Sequence, residues 1–541
     1  LSGHRQNAPG TGSNRWLGSF RAKFAIRKAL FVTRWSYKSM DFCRAFRQAS
    51  EHLSNLAMRD NRMRAALRFV QEGDFKMNDQ RPRGNSLAAR DIAALVHPYT
   101  NLRAHETDGP VVMAKGRGIY VVDDNGKEYI EGLAGLWCAS LGFDEPRLAD
   151  AAHRQMRQLP FYHIFAGKSH EPGIVLAEKL KELAPVPMSK VFFANSGSEA
   201  NDTAIKILWY IANAAGTPKR KKILSREKAY HGVTIAAASL TKLPANQRDF
   251  DLPIFPVAYA ETPHFYRGGL PGESEEQYST RLAENLEKLI LAEDPETIVA
   301  MFAEPVMGAG GAIVPPAGYF PKIQAVLRKY GILLVADEVI CGFGRTGNMW
   351  GSQTYGIEPD ILTCAKALSS AYMPISAVLI SEPVYAAMQA NSAKIGTFGH
   401  GYTYSAHPVP AAVALETLAI YEERDMVGHV RRMAPKFQAA LASLADAPIV
   451  GEAKGVGLIG GLQLVKDKAS KTMFEPSQAV APLIAKACEA NGLMVRPLFD
   501  NRLAVCPPLI IDEAGIDELF KRFAKGIAEG TQAAKAKGFI D

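Results

Sequence analysis

The strongest constraint on this chain is an alternation of short apolar runs with helical stretches, from about Leu148 to about Ile380. The runs are KVFFAN (190–195), KKILS (221–225), TIVAMFAEP (297–305), ILLVADEV (332–339), ILTCAK (361–366) and SAVLI (376–380). Each suits a strand buried on both faces and is too short for an ordinary helix. Between them lie segments such as SEANDTAIKILWYIANAA (198–215), which reads as a helix. Strands alternating with helices form a mostly parallel sheet with helices on both faces. Ligands of such sheets bind just beyond the carboxyl ends of the strands. The residues that follow each run are therefore the ones to inspect.

The flanking regions read differently. Residues 119–131, IYVVDDNGKEYIE, form a β-hairpin pattern around Asn125-Gly126. Residues 262–285 are polar and interrupted by Gly and Pro, and are expected to be a surface excursion. After about Gly401 come a helical stretch (409–424), a β-rich one (457–465) and a closing helix. The expected fold class is α/β, a large domain with a mostly parallel sheet flanked by helices, plus a smaller α+β domain. The expected boundaries are a leader at 1–76, a segment at 77–147 contributing to the small domain, the large domain at 148–400 and the C-terminal small domain at 401–541.

Charge distribution narrows the function. The net charge is +8, but residues 1–76 hold 15 Lys and Arg against 5 Asp and Glu, leaving 48 against 50 in the rest. The basicity belongs to the leader, so the body has no general polyanion footprint and no nucleic-acid partner is expected. The leader starts at Leu1, and its first acidic residue is Asp41. It resembles an organelle transit peptide. The favoured alternative is sequence upstream of a start at Met77. No apolar run reaches the roughly 18–20 residues that span a bilayer, so no membrane role is expected. The six cysteines are scattered without a CxxC pair. That spacing suits reduced thiols in a cytoplasmic protein and no metal site.

Three features carry chemistry. The first is Asn195-Ser196-Gly197-Ser198-Glu199-Ala200-Asn201, which follows a strand and opens a helix. A helix N-terminus offers unpaired N–H groups and partial positive charge to a phosphate; the bland alternative is a simple serine cap. The second is Asp337, at the tip of ILLVA. A carboxylate there is costly unless paired, and a protonated ring nitrogen is a fitting partner; a capping Asp is the alternative. The third is Lys366, after the apolar DILTC. Burial disfavours the ammonium, and Schiff-base chemistry needs the neutral amine; the alternative is a lysine snorkelling to solvent. Together with Tyr230-His231-Gly232 after the intervening strand, these put phosphate, ring and aldehyde partners on one sheet edge.

Longer runs make the pattern recognisable: GLAGLWCASLGF, LPFYHIF, NSGSEANDTAIK, AYHG, EPVMGAGG, VADEVICGFGRTG, CAKALSSAYMPISA and GYTYSAHPV. Over roughly residues 85–535 the chain resembles the class III aminotransferases, fold-type I enzymes that use pyridoxal 5′-phosphate. The resemblance implies that Lys366 holds the cofactor covalently and shuttles a proton, and that Asp337 pairs with its ring nitrogen. Tyr230 and Val339 then cover the two ring faces, with His231 nearby. Ser196, Gly197 and Ser198 form the phosphate cradle, Ser196 being the weakest of the three. Glu304 orients groups beside the ring hydroxyl. Thr403 reaches the phosphate of the partner subunit, which implies a homodimer with shared sites and leaves a tetramer open. Trp137, Tyr162 and Phe165 line the amine pocket, and Arg496 binds a substrate carboxylate.

The implied reaction moves an amino group from an ω-amino acid or primary amine to a keto acid, pyruvate being favoured. An ornithine- or 4-aminobutyrate-type enzyme using 2-oxoglutarate is the nearest alternative. A same-fold aminomutase or decarboxylase is another, and a non-catalytic binding protein is the most distant.

Overall fold

The structure, a computed structural model, describes residues 85–540. The reading of residues 1–76 lies outside the described residues. The chain divides into two compact units that part between Pro110 and Val111. The described residues of the first hold two short helices, α1 (Leu87–Ala94) and α2 (Leu102–Asp108). Ser86 and Asn101 cap them, their side chains accepting from the backbone N–H of Ala89 and Ala104.

The second unit opens with three antiparallel strands, β1 (Met113–Arg117), β2 (Tyr120–Asp123) and β3 (Glu128–Glu131). The β2–β3 turn is the one Asn125-Gly126 announced. Asp123 Oδ1 accepts from the N–H of Asn125 and of Lys127, at 2.9 Å each. Gly126 takes φ +85°, a conformation glycine adopts without strain.

The central sheet follows in chain order. Strand β4 (Lys190–Ala194) leads into helix α3 (Gly197–Ala214); β5 (Lys222–Arg226) and β6 (Val257–Ala260) precede helix α4 (Glu275–Ala292). Then come β7 (Ile298–Ala303), β8 (Leu333–Asp337), β9 (Ile361–Cys364) and β10 (Ser376–Ile380). The order is β4-β10-β9-β8-β7-β5-β6. All neighbours run parallel except β10, which is antiparallel to both β4 and β9. One reversed strand between two others leaves β4 pointing the same way as β5 to β9. Their carboxyl ends therefore share one edge. Every residue of β7, β9 and β10 is buried, as continuous apolar runs demand when helices cover both faces.

Helix α5 (Pro408–Glu423) leads to a four-stranded antiparallel sheet. That sheet is made by β11 (Val450–Val456), β12 (Ile459–Leu464), β14 (Arg496–Leu498) and β15 (Arg502–Val505). The short β13 (Leu493–Met494) belongs instead to the sheet of β1 to β3, pairing in parallel with β3. Helix α6 (Glu513–Ala536) closes the chain.

Two expectations need correction. Strand β6 was not foreseen. The stretch 262–285 is no surface excursion: from Glu275 it is the first half of α4, whose Tyr278, Leu282, Leu286 and Ile290 are buried against the sheet. Its start is fixed by a capping box, in which Ser274 accepts from Gln277 N–H and Gln277 accepts from Ser274 N–H. Leu282→Ala is therefore expected to cost about 2–4 kcal/mol in chemical denaturation, as for other buried leucines. A loss below about 0.5 kcal/mol, typical of surface positions, would return this segment to the surface.

Candidate active site

The shared edge of the central sheet gathers one residue set. Past β4, Ser196 caps α3, its hydroxyl accepting from Glu199 N–H at 3.2 Å. Gly197 and Ser198 form the first turn of that helix, where partial positive charge collects. A Cβ on Gly197 would stand 2.9 Å from Val339 Cγ1, and one on Gly232 would stand 2.5 Å from Ser198 Oγ. Both contacts are too close for any side chain, so the two glycines let three loops converge. Past β5 come Tyr230, His231 and Gly232; past β7, Glu304; at the tip of β8 and just past it, Asp337 and Val339; past β9, Lys366. Gly197, Ser198, Tyr230, His231, Glu304, Asp337, Val339 and Lys366 line a single cavity of about 180 Å³.

Asp337 is the most heavily held of them. It is buried, and its Oδ2 accepts from His231 Nδ1 and from Asn201 Nδ2, both at 2.8 Å. Its Oδ1 accepts from Val339 N–H at 3.1 Å. Asn201 also donates to the His231 carbonyl at 2.7 Å and accepts from Thr363 Oγ1 at 2.9 Å. Neither Asn201 nor Thr363 was singled out from the sequence. The signal was an amide on the buried stripe of α3, among Ala200, Ala204, Ile205 and Leu208. With Nδ1–H committed to Asp337, His231 Nε2 is buried without a partner. Glu304 Oε1 accepts from Tyr230 N–H at 3.1 Å, and Oε2 from Gly308 N–H at 3.0 Å. Burial pushes its carboxyl above the usual range.

Lys366 opens a short 3₁₀ turn with φ +50°. A non-glycine residue held in the left-handed region stores backbone strain, which functional constraints sustain. Burial lowers the pKa of its ammonium, against the opposing pull of Asp337. Its Nζ lies 6.0 Å from the ring centre of Trp137, itself buried and at φ +60°. The Arg496 guanidinium sits 5.2 Å from the same ring. Arg496 also lines a wider cavity of about 670 Å³, with Glu131, Leu133 and Leu136. The Glu131 carboxyl accepts from Gly135 N–H, and burial pushes its pKa up to about 7.

The remaining expected residues stand elsewhere. Ser196 is exposed at the helix cap and does not line the cavity. Tyr162 and Phe165 are exposed, and so is Thr403. A Cβ on Gly401 would lie 2.9 Å from Phe165 Cζ, and Phe161 meets Tyr404 edge-on at 5.7 Å. Segments 161–165 and 401–407 thus make one exposed patch. None of these side chains reaches the cavity lined by their own chain.

The donor set can be tested against the implied cofactor. The cavity offers a helix N-terminus with a serine hydroxyl, a buried carboxylate fixed by three donors, and a lysine whose burial favours the neutral amine. Those suit, in turn, a phosphate, a protonated ring nitrogen and an aldehyde carbon. Pyridoxal 5′-phosphate carries all three, and the two glycines keep the approach to it open.

Similar proteins agree with that chemistry. The family described as Aminotransferase class-III matches residues 102–527. The tomato (Solanum lycopersicum) protein named gamma aminobutyrate transaminase 3, chloroplastic, is 50% identical over 452 residues, 82% of this chain and 86% of its own length. Tomato gamma aminobutyrate transaminase 1, mitochondrial, is 51% identical over 421 residues, 78% of this chain and 82% of its own length. The Pseudomonas jessenii omega transaminase, solved in complex with PMP, is 52% identical with a TM-score of 0.82, covering 83% of this chain and 99% of that one. The chain belongs to the class III aminotransferases, and is a fold-type I enzyme that moves amino groups with pyridoxal 5′-phosphate.

Proposed function

We propose that this aminotransferase takes ω-amino acids as donors, 4-aminobutyrate among them, and pyruvate as acceptor in a ping-pong cycle. The observation that carries the reading is that Lys366 and Arg496 both stand within about 6 Å of one Trp137 ring. A short donor whose amine reaches Lys366 presents its far end to Arg496. A guanidinium recognises a carboxylate there as a two-pronged hydrogen-bond donor. The names of the tomato and P. jessenii relatives support the same donor class.

Each residue then has a task. Bound in the cavity, pyridoxal 5′-phosphate supplies the aldehyde for amine exchange and a ring that takes up the electrons of the broken Cα–H bond. Lys366 supplies the base: burial favours its neutral Nζ, which takes the proton from the substrate Cα and later returns it. Asp337, pinned by Asn201, His231 and Val339 N–H, holds the ring nitrogen in its protonated form. Ser198 and the first turn of α3 hold the phosphate, with Gly197 giving room. Tyr230 and Val339 cover the ring faces, and Glu304 orients the polar edge between them.

We further propose a homodimer, in which the exposed patch of Tyr162, Phe165 and Thr403 completes the partner's site. Its position away from its own cavity supports this, as does the rule that most oligomers close about a two-fold axis. Among the described residues no helix is long and apolar enough to cross a membrane, and five cysteines are free. We place the enzyme in the cytoplasm; the tomato relatives are named for chloroplast and mitochondrion, and cell fractionation decides between them.

Three outcomes are expected. Lys366→Ala loses at least the roughly 10²–10⁴-fold that positioned proton transfer supplies, together with the visible absorption of the bound cofactor; a variant that still transaminates normally removes Lys366 from the reaction. Arg496→Ala lowers kcat/KM roughly ten- to hundredfold for 4-aminobutyrate and pyruvate, the worth of a charged hydrogen bond, and far less for a simple aromatic amine. Equal losses across a donor panel, or 2-oxoglutarate outperforming pyruvate as acceptor, would sink the pairing proposed here. Sedimentation of the holoenzyme shows a dimer or a dimer of dimers, and an active monomer is incompatible with shared sites.

A further inference from the structure

The first unit holds a cluster with no part in the reaction above. Asp91 lies on α1, His105 on α2, and His97 on the loop between them. Both histidines turn the same atom inward: His97 Nε2 is 2.8 Å and His105 Nε2 is 3.1 Å from one oxygen, Asp91 Oδ1. The two rings pack with centroids 4.2 Å apart, and the three polar atoms lie within 4.8 Å of one another. All three side chains are partly shielded from solvent.

We propose that Asp91, His97 and His105 form a structural site for a divalent first-row transition metal, Zn²⁺ being the best match. Zinc bonds to imidazole nitrogen and carboxylate oxygen at about 2.0–2.2 Å, so its tetrahedral ligands stand roughly 3.3 Å apart. The two Asp91 distances are already close to that edge, and water fills the fourth position. The exchange is balanced. Each neutral imidazole carries one proton, placed on Nε2 when it faces Asp91 Oδ1. On metal entry that proton moves to Nδ1 and the Nε2 lone pair turns to the ion, so no ring proton is lost. Two imidazoles and one carboxylate suit zinc or its neighbours, whereas magnesium and calcium select all-oxygen sets. The ion clips α1 to α2 across a loop that two hydrogen bonds otherwise hold. Cysteine spacing gave no hint of it, because the ligands are histidines in an Asp-x₅-His-x₇-His spacing outside the standard zinc motifs.

The test uses the full-length holoenzyme with Zn²⁺ and, separately, Co²⁺. Calorimetric titration is expected to give one Zn²⁺ per chain that is absent from the His97→Gln/His105→Gln double variant. Asp91→Asn and His97→Gln alone should bind at least about tenfold more weakly. Co²⁺ should give visible metal-centred bands that the double variant lacks, and Zn²⁺ should raise the Tm of the parent only. Retention of cofactor absorption shows that each variant is folded, and the single variants serve if the double one is not. A parent that binds no Zn²⁺, or variants that bind as the parent does, would reduce the cluster to two hydrogen bonds onto Asp91, one from the loop and one from α2.

Discussion

A carboxylate buried at the end of a sheet strand is the point on which this site depends. Asp337 cannot stay there without donors, since an unpaired charge in an apolar interior costs several kcal/mol. Its donors come from three different elements: the side chain of Asn201 on α3, the ring of His231 after β5, and the N–H of Val339 after β8. Asn201 adds bonds to the His231 carbonyl and to Thr363 on β9. Satisfying one charge thus fixes the relative positions of four segments. The same network leaves one carboxylate aimed into the cavity, as a ring nitrogen requires. Removing a donor would therefore loosen the geometry of the site as well as the charge balance.

Close approach is the second condition. Gly197 against Val339 and Gly232 against Ser198 are contacts that no side chain could share. They bring the helix N-terminus, Val339 and the loop after β5 around one small cavity. The strained backbone at Lys366 serves the same end, turning the amine inward directly after β9. These features are local, yet each works only because β4 and β5 to β9 finish on one edge.

That edge was legible in the sequence. Apolar runs of strand length mark β4, β5, β7, β8, β9 and β10, and the chemistry-bearing residues stand at the ends of these strands or up to five positions beyond them. Lys366, Asp337 and the Ser196–Ser198 turn could be named because burial of a charge and the opening of a helix both leave marks in a linear pattern. Other features left none. In α4 the Gly and Pro of residues 268–272 drew attention away from a buried stripe that begins only after the Ser274 cap. Strand β6, VAYA, is too short to stand out between polar neighbours. Asn201 does its work through partners 30, 136 and 162 residues away, and separations of that kind are invisible without the fold. The Asp91–His97–His105 cluster is hidden differently: its residues are near in sequence, but only the folding of α1, the loop and α2 against one another turns both rings toward one oxygen.

The division between reaction and selectivity also follows from topology. The groups that fit the cofactor all lie at or past the carboxyl ends of strands of the seven-stranded sheet. Trp137 and Arg496 do not: one follows β3, the other opens β14. What brings them together is the short parallel pairing of β13 with β3, Leu493 to Ile130 and Met494 to Glu131. The Gly132 N–H donates to the Met494 carbonyl at 3.0 Å, and a Cβ at Gly132 would stand 2.6 Å from that oxygen. The chain can lie this close only because residue 132 is glycine. Two residues beyond Met494 is Arg496, and five beyond Gly132 is Trp137. Two segments more than 350 positions apart thus bring a guanidinium to within 5.2 Å of a ring whose centre lies 6.0 Å from Lys366 Nζ. Changes in those segments act on the ring and guanidinium without touching the sheet edge that holds Asp337, so under the proposed function the far end of the substrate and the reacting amine are handled by separate parts of the fold.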